Sequence, residues 1–167
     1  GQFATLLSKL NNHDSWRLLY GKKSARLKDL ELILRFFSLY FYASKYSRPM
    51  KDFLNRNMAS NRALSKHGAD ELTALFETTV STIREAIGVK AFRLKNAVNA
   101  AIVDSIMVGI ATRLAAGPIT DLAQVKVAYE SLRTNSDYLN ATTRATADEE
   151  SVKTRLRLAK EAFASAQ

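Results

Sequence analysis

The stretch ARLKDLELILRFFSLYFYASKYSRPMKDFLNRNM, residues Ala25–Met58, decides how the rest of the chain must fold. At its centre, residues 36–42 read FFSLYFY, so that Ser38 alone interrupts a run of aromatic and leucine side chains. Three arrangements fit such a run: a membrane anchor, an exposed platform on which unpaired bases stack, and a helix buried at the centre of a domain. The length of the run and the polar residues around it separate these arrangements.

A membrane anchor is excluded by length and by charge. A transmembrane helix needs about 20 consecutive apolar residues, and the run that begins at Phe36 is far shorter. Glu31 and Arg35, four residues apart, would lie at membrane depth in any longer span. We therefore expect no membrane contact through this stretch.

A buried central helix explains the spacing better than a stacking platform does. The polar positions are separated by four, three, four and three residues: Glu31, Arg35, Ser38, Tyr42 and Lys45. This spacing forms one narrow stripe on a helix, with apolar side chains on every other side, whereas bases can stack only on exposed rings. We predict an intrahelical Glu31–Arg35 pair on the stripe. We also predict burial of four residues: Phe36, Leu39, Tyr40 and Ile106.

The whole chain follows the same helical period, and we predict an all-α fold. Apolar residues recur at helical spacing nearly everywhere, and 6 Gly and 2 Pro are few for a β-rich fold. A second nearly all-apolar helix is predicted within residues 96–118, NAVNAAIVDSIMVGIATRLAAGP, whose small residues allow close helix packing. The prediction is one α-helical domain over residues 1–167, a multi-helix bundle with two nearly all-apolar central helices. The chain begins without Met, and we expect it to be an excerpt of a longer protein.

Asp104 is notable because it lies inside the apolar run AAIVDSIMVGIA. A lone carboxylate is costly to bury unless a cation or backbone donors pair with it. The favoured interpretation is a buried ion pair with Arg35, with Arg93 as another candidate partner. The alternative is a carboxylate directed at a functional site.

The charge balance points to a polyanionic partner. The chain has 25 Lys and Arg against 16 Asp and Glu, a net charge of +9, which favours contact with nucleic acid. In the last predicted helix, a capping-box pattern at Thr146 and Glu149 precedes inward-facing apolar residues: Val152, Leu156, Ala159 and Phe163. That leaves four basic residues facing outward as candidate phosphate contacts: Lys153, Arg155, Arg157 and Lys160. A second basic group, Lys90, Arg93 and Lys95, could also touch phosphates, and a solvated helix face explains either group equally well.

Patterns that carry catalytic chemistry are absent from the sequence. It contains no Cys, no glycine-rich phosphate loop, no metal-binding histidine pair and no nucleophile elbow. His13 and His67 lie alone in predicted loops, and we interpret them as surface histidines. We therefore predict no catalytic, metal-binding or cofactor-binding residue in this segment.

Four segments, in chain order, resemble the motifs of one bacterial family. The run GQFATLLSKLNN…WRLLYGKKSARLKDLELILRFFSLY resembles G-P-F…L-L…W…R-M-K-D-x-E-L-V-L-R-F, and MKDFLNRNM resembles K-x-F-L-N-x-x-M. Further on, GVKAFRLKNAVNAAIVDSIMVGIA resembles F-R…N-x-A-x-F-D-A-x-M-x-x-x-A. The closing segment TADEESVKTRLRLAKEAF resembles T-s-d-x-x-x-V-x-x-R-I-x-x-A. This order is similar to that of GmrSD-type modification-dependent restriction enzymes and related phage-defence proteins.

The resemblance implies a place in a larger protein rather than a catalytic role for this segment. In the family, an upstream ParB- or sulfiredoxin-like domain with a D-G-Q-Q-R-type motif handles nucleotide, and a His-Asn-His nuclease often follows. Neither motif occurs in this sequence, so no family catalytic residue is carried over to it. Nucleotide and divalent metal are expected only in those other domains, and the parent protein is expected to be an NTP-dependent restriction endonuclease.

The functional hypothesis is a non-catalytic helical scaffold or sensor region of a GmrSD-like cytoplasmic defence protein. Its expected partners are its own upstream nucleotide-handling domain and the DNA backbone. Two alternatives stay open: a free-standing basic nucleic-acid-binding module, and a helical domain that forms a homo-oligomer. Salt-dependent DNA affinity would favour the first alternative, and a mass that depends on concentration would favour the second.

Overall fold

The computed structural model describes residues 1–167 and contains nine α-helices and one two-stranded hairpin. The helices are α1 (Gln2–Leu10), α2 (Asp14–Tyr20), α3 (Lys28–Tyr42), α4 (Met50–Ser60), α5 (Ala69–Ala86), α6 (Ala100–Ala115), α7 (Leu122–Thr134), α8 (Ser136–Thr143) and α9 (Glu149–Ala164). A single 3₁₀ turn, Ala43–Lys45, follows α3. The antiparallel strands are β1 (Arg93–Leu94) and β2 (Ala97–Val98). The all-α prediction is confirmed. None of the helices combines the length and the apolar character that a membrane span requires.

Helix α6 is the centre of the bundle. It packs most extensively on α9 and also contacts α3, α5 and α8. Every residue from 101 to 111 is buried, including Ile106, because neighbouring helices cover α6 on all sides. The prediction of a second nearly all-apolar central helix is therefore confirmed.

Helix α3 is buried along most of its length, and its last turn reaches the surface. Phe36 and Leu39 are fully buried, in agreement with the prediction. Tyr40 is only half-buried, so its predicted burial is wrong. Its ring packs edge-on against Phe41, but its hydroxyl has no hydrogen-bond partner in the protein and therefore stays at the surface. A tyrosine hydroxyl without an internal partner is more stable in contact with water.

The start of α6 differs from the sequence prediction. Residues 96–99 are not helical, because Ala97 and Val98 pair with Arg93 and Leu94 in the hairpin. Asn99 is the N-cap residue of α6, and its side chain accepts a hydrogen bond from the backbone N–H of Ile102 at 2.9 Å. An Asn at this position satisfies a backbone donor that the first turn of a helix leaves unpaired.

Gly109 allows α6 and α9 to come together. A Cβ atom at this position would lie 3.0 Å from the Ala159 Cβ and 3.1 Å from the Ala159 backbone carbon. Phe163 approaches the same point at 3.0 Å. The predicted role of small residues in close helix packing is thus confirmed at Gly109, where even the Cβ atom of an alanine would require its neighbours on α9 to shift by a few tenths of an ångström.

Candidate functional site

A buried ion cluster, defined as Asp104, Arg35 and Arg155, lies between α3, α6 and α9. Asp104 and Arg155 are both 0% exposed. Arg155 Nε donates to Asp104 Oδ1 and Arg155 Nη2 donates to Oδ2, each at 2.9 Å. Arg35 approaches from the other side, with Nε and Nη2 both 2.8 Å from Asp104 Oδ2. The predicted Asp104–Arg35 pair is therefore present, and Arg155 joins it to complete a cluster of three residues.

The cluster contains two guanidinium groups and one carboxylate, so the surrounding structure has to stabilise a surplus positive charge. The remaining Arg155 donor, Nη1, reaches the carbonyl oxygens of Thr146 at 2.6 Å and Ala141 at 3.3 Å. Burial alone would lower the pKa of Arg155, but the charge and hydrogen bonds of Asp104 raise it above its ordinary value. Two backbone carbonyls and the Asp104 carboxylate thus stabilise the charged Arg155 guanidinium in the core.

Two tyrosines adjoin the ion cluster. The Tyr138 hydroxyl is buried and lies 2.7 Å from the Ser105 Oγ, and burial raises the pKa of Tyr138. The Tyr46 hydroxyl donates to the carbonyl oxygen of Ala147 at 2.5 Å. Burial raises the pKa of Tyr46, although the positive charges of the cluster partly oppose this effect. Both hydroxyls therefore stay neutral and do not offset the surplus charge.

Three sequence predictions need correction at the ion cluster. Arg155 is not an outward-facing phosphate contact, because its position on α9 lies on the same face as the apolar residues of that helix. The Glu31–Arg35 pair does not form, because Arg35 turns inward to Asp104, the carboxylate that cannot reach water. Helix α9 begins at Glu149 with Asp148 at the N-cap position, so the predicted capping box at Thr146 is also wrong.

A second polar network is centred on Asp29 at the start of α3. Its carboxylate accepts hydrogen bonds from Asn11 Nδ2 at 3.1 Å and from Arg17 Nη1 at 2.9 Å. Asn11 in turn accepts a hydrogen bond from the indole N–H of the buried Trp16 at 2.9 Å. Burial alone would raise the pKa of Asp29, but these bonds and those from the backbone of Ser24 and Leu30 lower it below its ordinary value. The network joins the end of α1 and the start of α3 to the middle of α2.

The other three predicted phosphate contacts lie on the surface of α9. Lys153, Arg157 and Lys160 line an open groove of about 640 Å³ that also includes Tyr46 and Ala43. Two of the three are already paired on their own helix: Lys153 lies 3.8 Å from Glu150, and Arg157 lies 3.3 Å from Glu161. The positive charge that this face offers to a partner is correspondingly reduced.

A polar network around His67, formed with Tyr42 and Glu71, was not predicted from the sequence. His67 Nδ1 lies 3.0 Å from Glu71 Oε1, and His67 Nε2 lies 2.9 Å from the Tyr42 hydroxyl. The imidazole also stacks on Phe41, with ring centroids 3.8 Å apart. The four-residue spacing of His67 and Glu71 was a readable signal, but nothing in the sequence linked them to Tyr42. The cavity beside the His67 network measures about 20 Å³, which is too small to hold a substrate.

His13, the other histidine, has a structural role at the start of α2. Its Nδ1 accepts a hydrogen bond from the backbone N–H of Ser15 at 3.2 Å, as an N-cap residue does. Its ring meets Phe76 edge-on. No group of three or more His, Cys, Asp or Glu side chains is arranged to hold a metal ion.

Comparison with known proteins adds no relative: no family model, curated protein or solved structure matches the chain. The resemblance described above therefore rests on the four motif segments themselves. In the structure, three charged residues, each from a different motif segment, meet in the ion cluster. Arg35 aligns with the Arg of L-R-F, Asp104 with the Asp of F-D-A, and Arg155 with the Arg of V-x-x-R.

Proposed function

We propose that this chain is a non-catalytic helical scaffold region of a GmrSD-type cytoplasmic defence protein. In this role the chain supports a nucleotide-handling domain elsewhere in the same protein, and it contacts the phosphate groups of DNA. The observation that carries the proposal is the ion cluster, in which charged residues from three motif segments meet in the core.

The positions of these residues favour a scaffold over a catalytic role. Arg35 and Arg155 are separated from Asp104 by 69 and 51 residues along the chain, so the cluster ties distant segments together. Asp104 and Arg155 are fully buried, and every nitrogen of the Arg155 guanidinium donates to an acceptor within the protein, so they cannot reach a ligand without unfolding of α9. Charged motif residues that lie in the core stabilise the arrangement of the helices. A neighbouring domain would bind the surface that this arrangement presents.

A phage-challenge assay tests the proposal in the complete protein. The gene that encodes the chain, with its flanking coding sequence, is expressed in a sensitive bacterial host. Plating efficiency is then measured for one phage with modified bases and for its unmodified counterpart. We expect protection against the modified phage only, and we expect Asp104→Asn to abolish it. The matched control Asp121→Asn, at an exposed position outside the cluster, should protect like the parent.

A biochemical assay tests the non-catalytic part separately. The purified 167-residue chain is incubated with nucleoside triphosphates and with modified DNA in the presence of Mg²⁺. We expect no turnover. Hydrolysis by this chain that a point mutation within it abolishes would overturn the proposal, as would a complete protein that gives no protection against either phage.

A homo-oligomer is the second candidate, and one observation favours it. An apolar groove of about 610 Å³ lies between α1, α3 and α4, and Leu27 at its edge is 60% exposed. Leu30, Leu34 and Met58 line the same groove. Sedimentation at increasing protein concentration tests this candidate: a rising mass that Leu27→Gln suppresses would support it, and a constant monomer mass would exclude it.

A further inference from the structure

A second basic surface lies away from α9, where the loop between α2 and α3 meets the hairpin. We call it the loop–hairpin surface and define it by Lys22, Lys23 and Lys95 around Arg93. All three lysines are exposed. The basic residues of the hairpin segment are visible in the sequence, but their position beside the loop depends on the fold.

Arg93 joins the two parts of the loop–hairpin surface. Its Nη2 donates to the carbonyl oxygen of Tyr20 at 2.9 Å, at the end of α2. Its Nη1 donates to the carbonyl oxygen of Asn96 at 2.9 Å, in the turn of the hairpin. Because a single guanidinium group spans both carbonyls, Lys22 and Lys95 are brought to the same region of the surface.

Hydrogen bonds hold both parts of the surface in fixed positions. Arg133 Nη2 donates to the Arg93 carbonyl oxygen at 2.9 Å and supports the hairpin from α7. On the loop, the backbone N–H of Ser24 donates to Asp29 Oδ2 at 3.3 Å. The backbone that carries the lysines is therefore ordered, and only the lysine side chains are free to change conformation.

The loop–hairpin surface differs from α9 in having no acidic partners. Residues 15–28 contain five Lys or Arg, residues 86–103 contain three, and neither segment contains Asp or Glu. No carboxylate forms an ion pair with Lys22, Lys23 or Lys95, whereas Lys153 and Arg157 on α9 each have one. A group of unneutralised cations attracts a polyanion more strongly than a face of paired charges does.

We propose that the loop–hairpin surface binds the phosphate backbone of duplex nucleic acid. The proposal rests on the proposed function only in taking DNA as the partner, and it moves the contact from α9 to this surface. Lysine ammonium groups act as point charges toward phosphate, so the binding is independent of base sequence. A duplex presents phosphates at regular intervals, which suits cations on an ordered backbone, whereas an anionic membrane requires no fixed spacing.

Two triple variants with the same change in charge test the proposal. The first carries Lys22→Glu, Lys23→Glu and Lys95→Glu; the control carries Lys153→Glu, Arg157→Glu and Lys160→Glu. Each reversal removes two units of charge, so both variants go from +9 to +3. Lys95 has a left-handed backbone with φ of 56°, and Glu tolerates it as Lys does because both have an unbranched Cβ. Thermal unfolding verifies that both variants fold.

Binding is measured as fluorescence anisotropy on two duplexes of unrelated sequence over a series of salt concentrations. We expect the loop–hairpin variant to lose at least about tenfold in affinity on both duplexes, and the control to lose less. The slope of log affinity against log salt should flatten by about 0.9 for each phosphate contact removed. A version with three Lys→Gln changes should flatten the slope in the same way, without added repulsion.

Each other outcome would overturn the proposal. Equal losses in the two variants would mean that net charge alone attracts DNA, and a larger loss in the control would return the contact to α9; either leaves the proposed function intact. Binding to vesicles that contain phosphatidylserine is measured in parallel. If the loop–hairpin variant bound both duplexes like the parent but lost binding to these vesicles, the surface would be a membrane site. If the parent bound no duplex at low salt, DNA contact would be lost from the proposed function as well, while the phage challenge would still decide the scaffold role.

Discussion

Arg155 and Asp104 form a two-pronged ion pair in which each carboxylate oxygen accepts one guanidinium N–H at 2.9 Å, and both side chains are shut off from solvent. This geometry fixes the rotation of α9 against α6 as well as their distance, since two parallel hydrogen bonds form in only one orientation. Apolar packing alone permits more than one arrangement of two helices. The pair therefore specifies the position of α9 in the bundle.

Arg155→Ala should destabilise the protein by about 3–5 kcal/mol, because it removes one partner of a buried ion pair. The substitution also leaves the carbonyl oxygen of Thr146 without its donor at 2.6 Å. The free energy of unfolding is measured by urea denaturation followed by circular dichroism. Arg157→Ala is the matched control on the next exposed position of α9 and should change stability by no more than about 0.5 kcal/mol. Equal losses from the two substitutions would contradict the structural role of the cluster.

Phe36→Ala tests whether the aromatic block of α3 is the core of the bundle. Phe36 is fully buried and its ring lies 5.3 Å from that of Phe37 and 6.1 Å from that of Tyr40. The cavity left by truncation should cost roughly 3–5 kcal/mol in the free energy of unfolding. Leu18→Ala, at a half-exposed position on α2, should cost about 1 kcal/mol or less in the same denaturation assay. If Phe36→Ala cost under about 1 kcal/mol, the stacking-platform interpretation would regain support.

The sequence predicted the fold class and the central helices because both depend on spacing within single segments. It also anticipated the Asp104–Arg35 pair, since a carboxylate in an apolar run needs a cation. The inward position of Arg155 was readable as well: it lies three residues after Val152 and four before Ala159, on the buried face. The general preference of Arg for solvent outweighed that spacing in the prediction.

Other features depend on contacts between distant segments, and no local pattern signals them. The hairpin has only two residues in each strand, too few for a period to be visible. Arg93 reaches Tyr20 across 73 residues, and His67 meets Tyr42 across a turn and a helix. The loop–hairpin surface exists only because such contacts bring two basic segments together.

Gly109→Ala should destabilise the protein even though alanine favours a helix. In an exposed helix the change would stabilise by about 1 kcal/mol. Here the added Cβ would lie 3.0 Å from the Ala159 Cβ and close to the backbone of α9, which cannot move without disturbing the Arg155–Asp104 pair. We expect a net loss of about 1–3 kcal/mol from overpacking. Thr112→Ala, at an exposed position of α6, is the control and should be neutral or stabilising. A stabilising Gly109→Ala would show that α6 and α9 are farther apart than described.

The acid stability of the protein should depend on Asp29. Hydrogen bonds from Asn11, Arg17 and the backbone hold the folded pKa of Asp29 below its ordinary value. A carboxyl group whose pKa is lowered in the folded state stabilises the fold at pH values above its unfolded pKa of about 3.9. This stabilisation is lost as the pH falls through the folded pKa. Stability should therefore decline below about pH 4, and Asp29→Asn should reduce that decline while lowering stability at neutral pH. Urea midpoints recorded from about pH 2 to pH 7 measure both effects. Asp52→Asn, at an exposed position of α4, is the control and should retain the parent slope. If Asp29→Asn showed the same acid slope as the parent, the decline would arise from other carboxylates and the Asp29 network would not control acid stability.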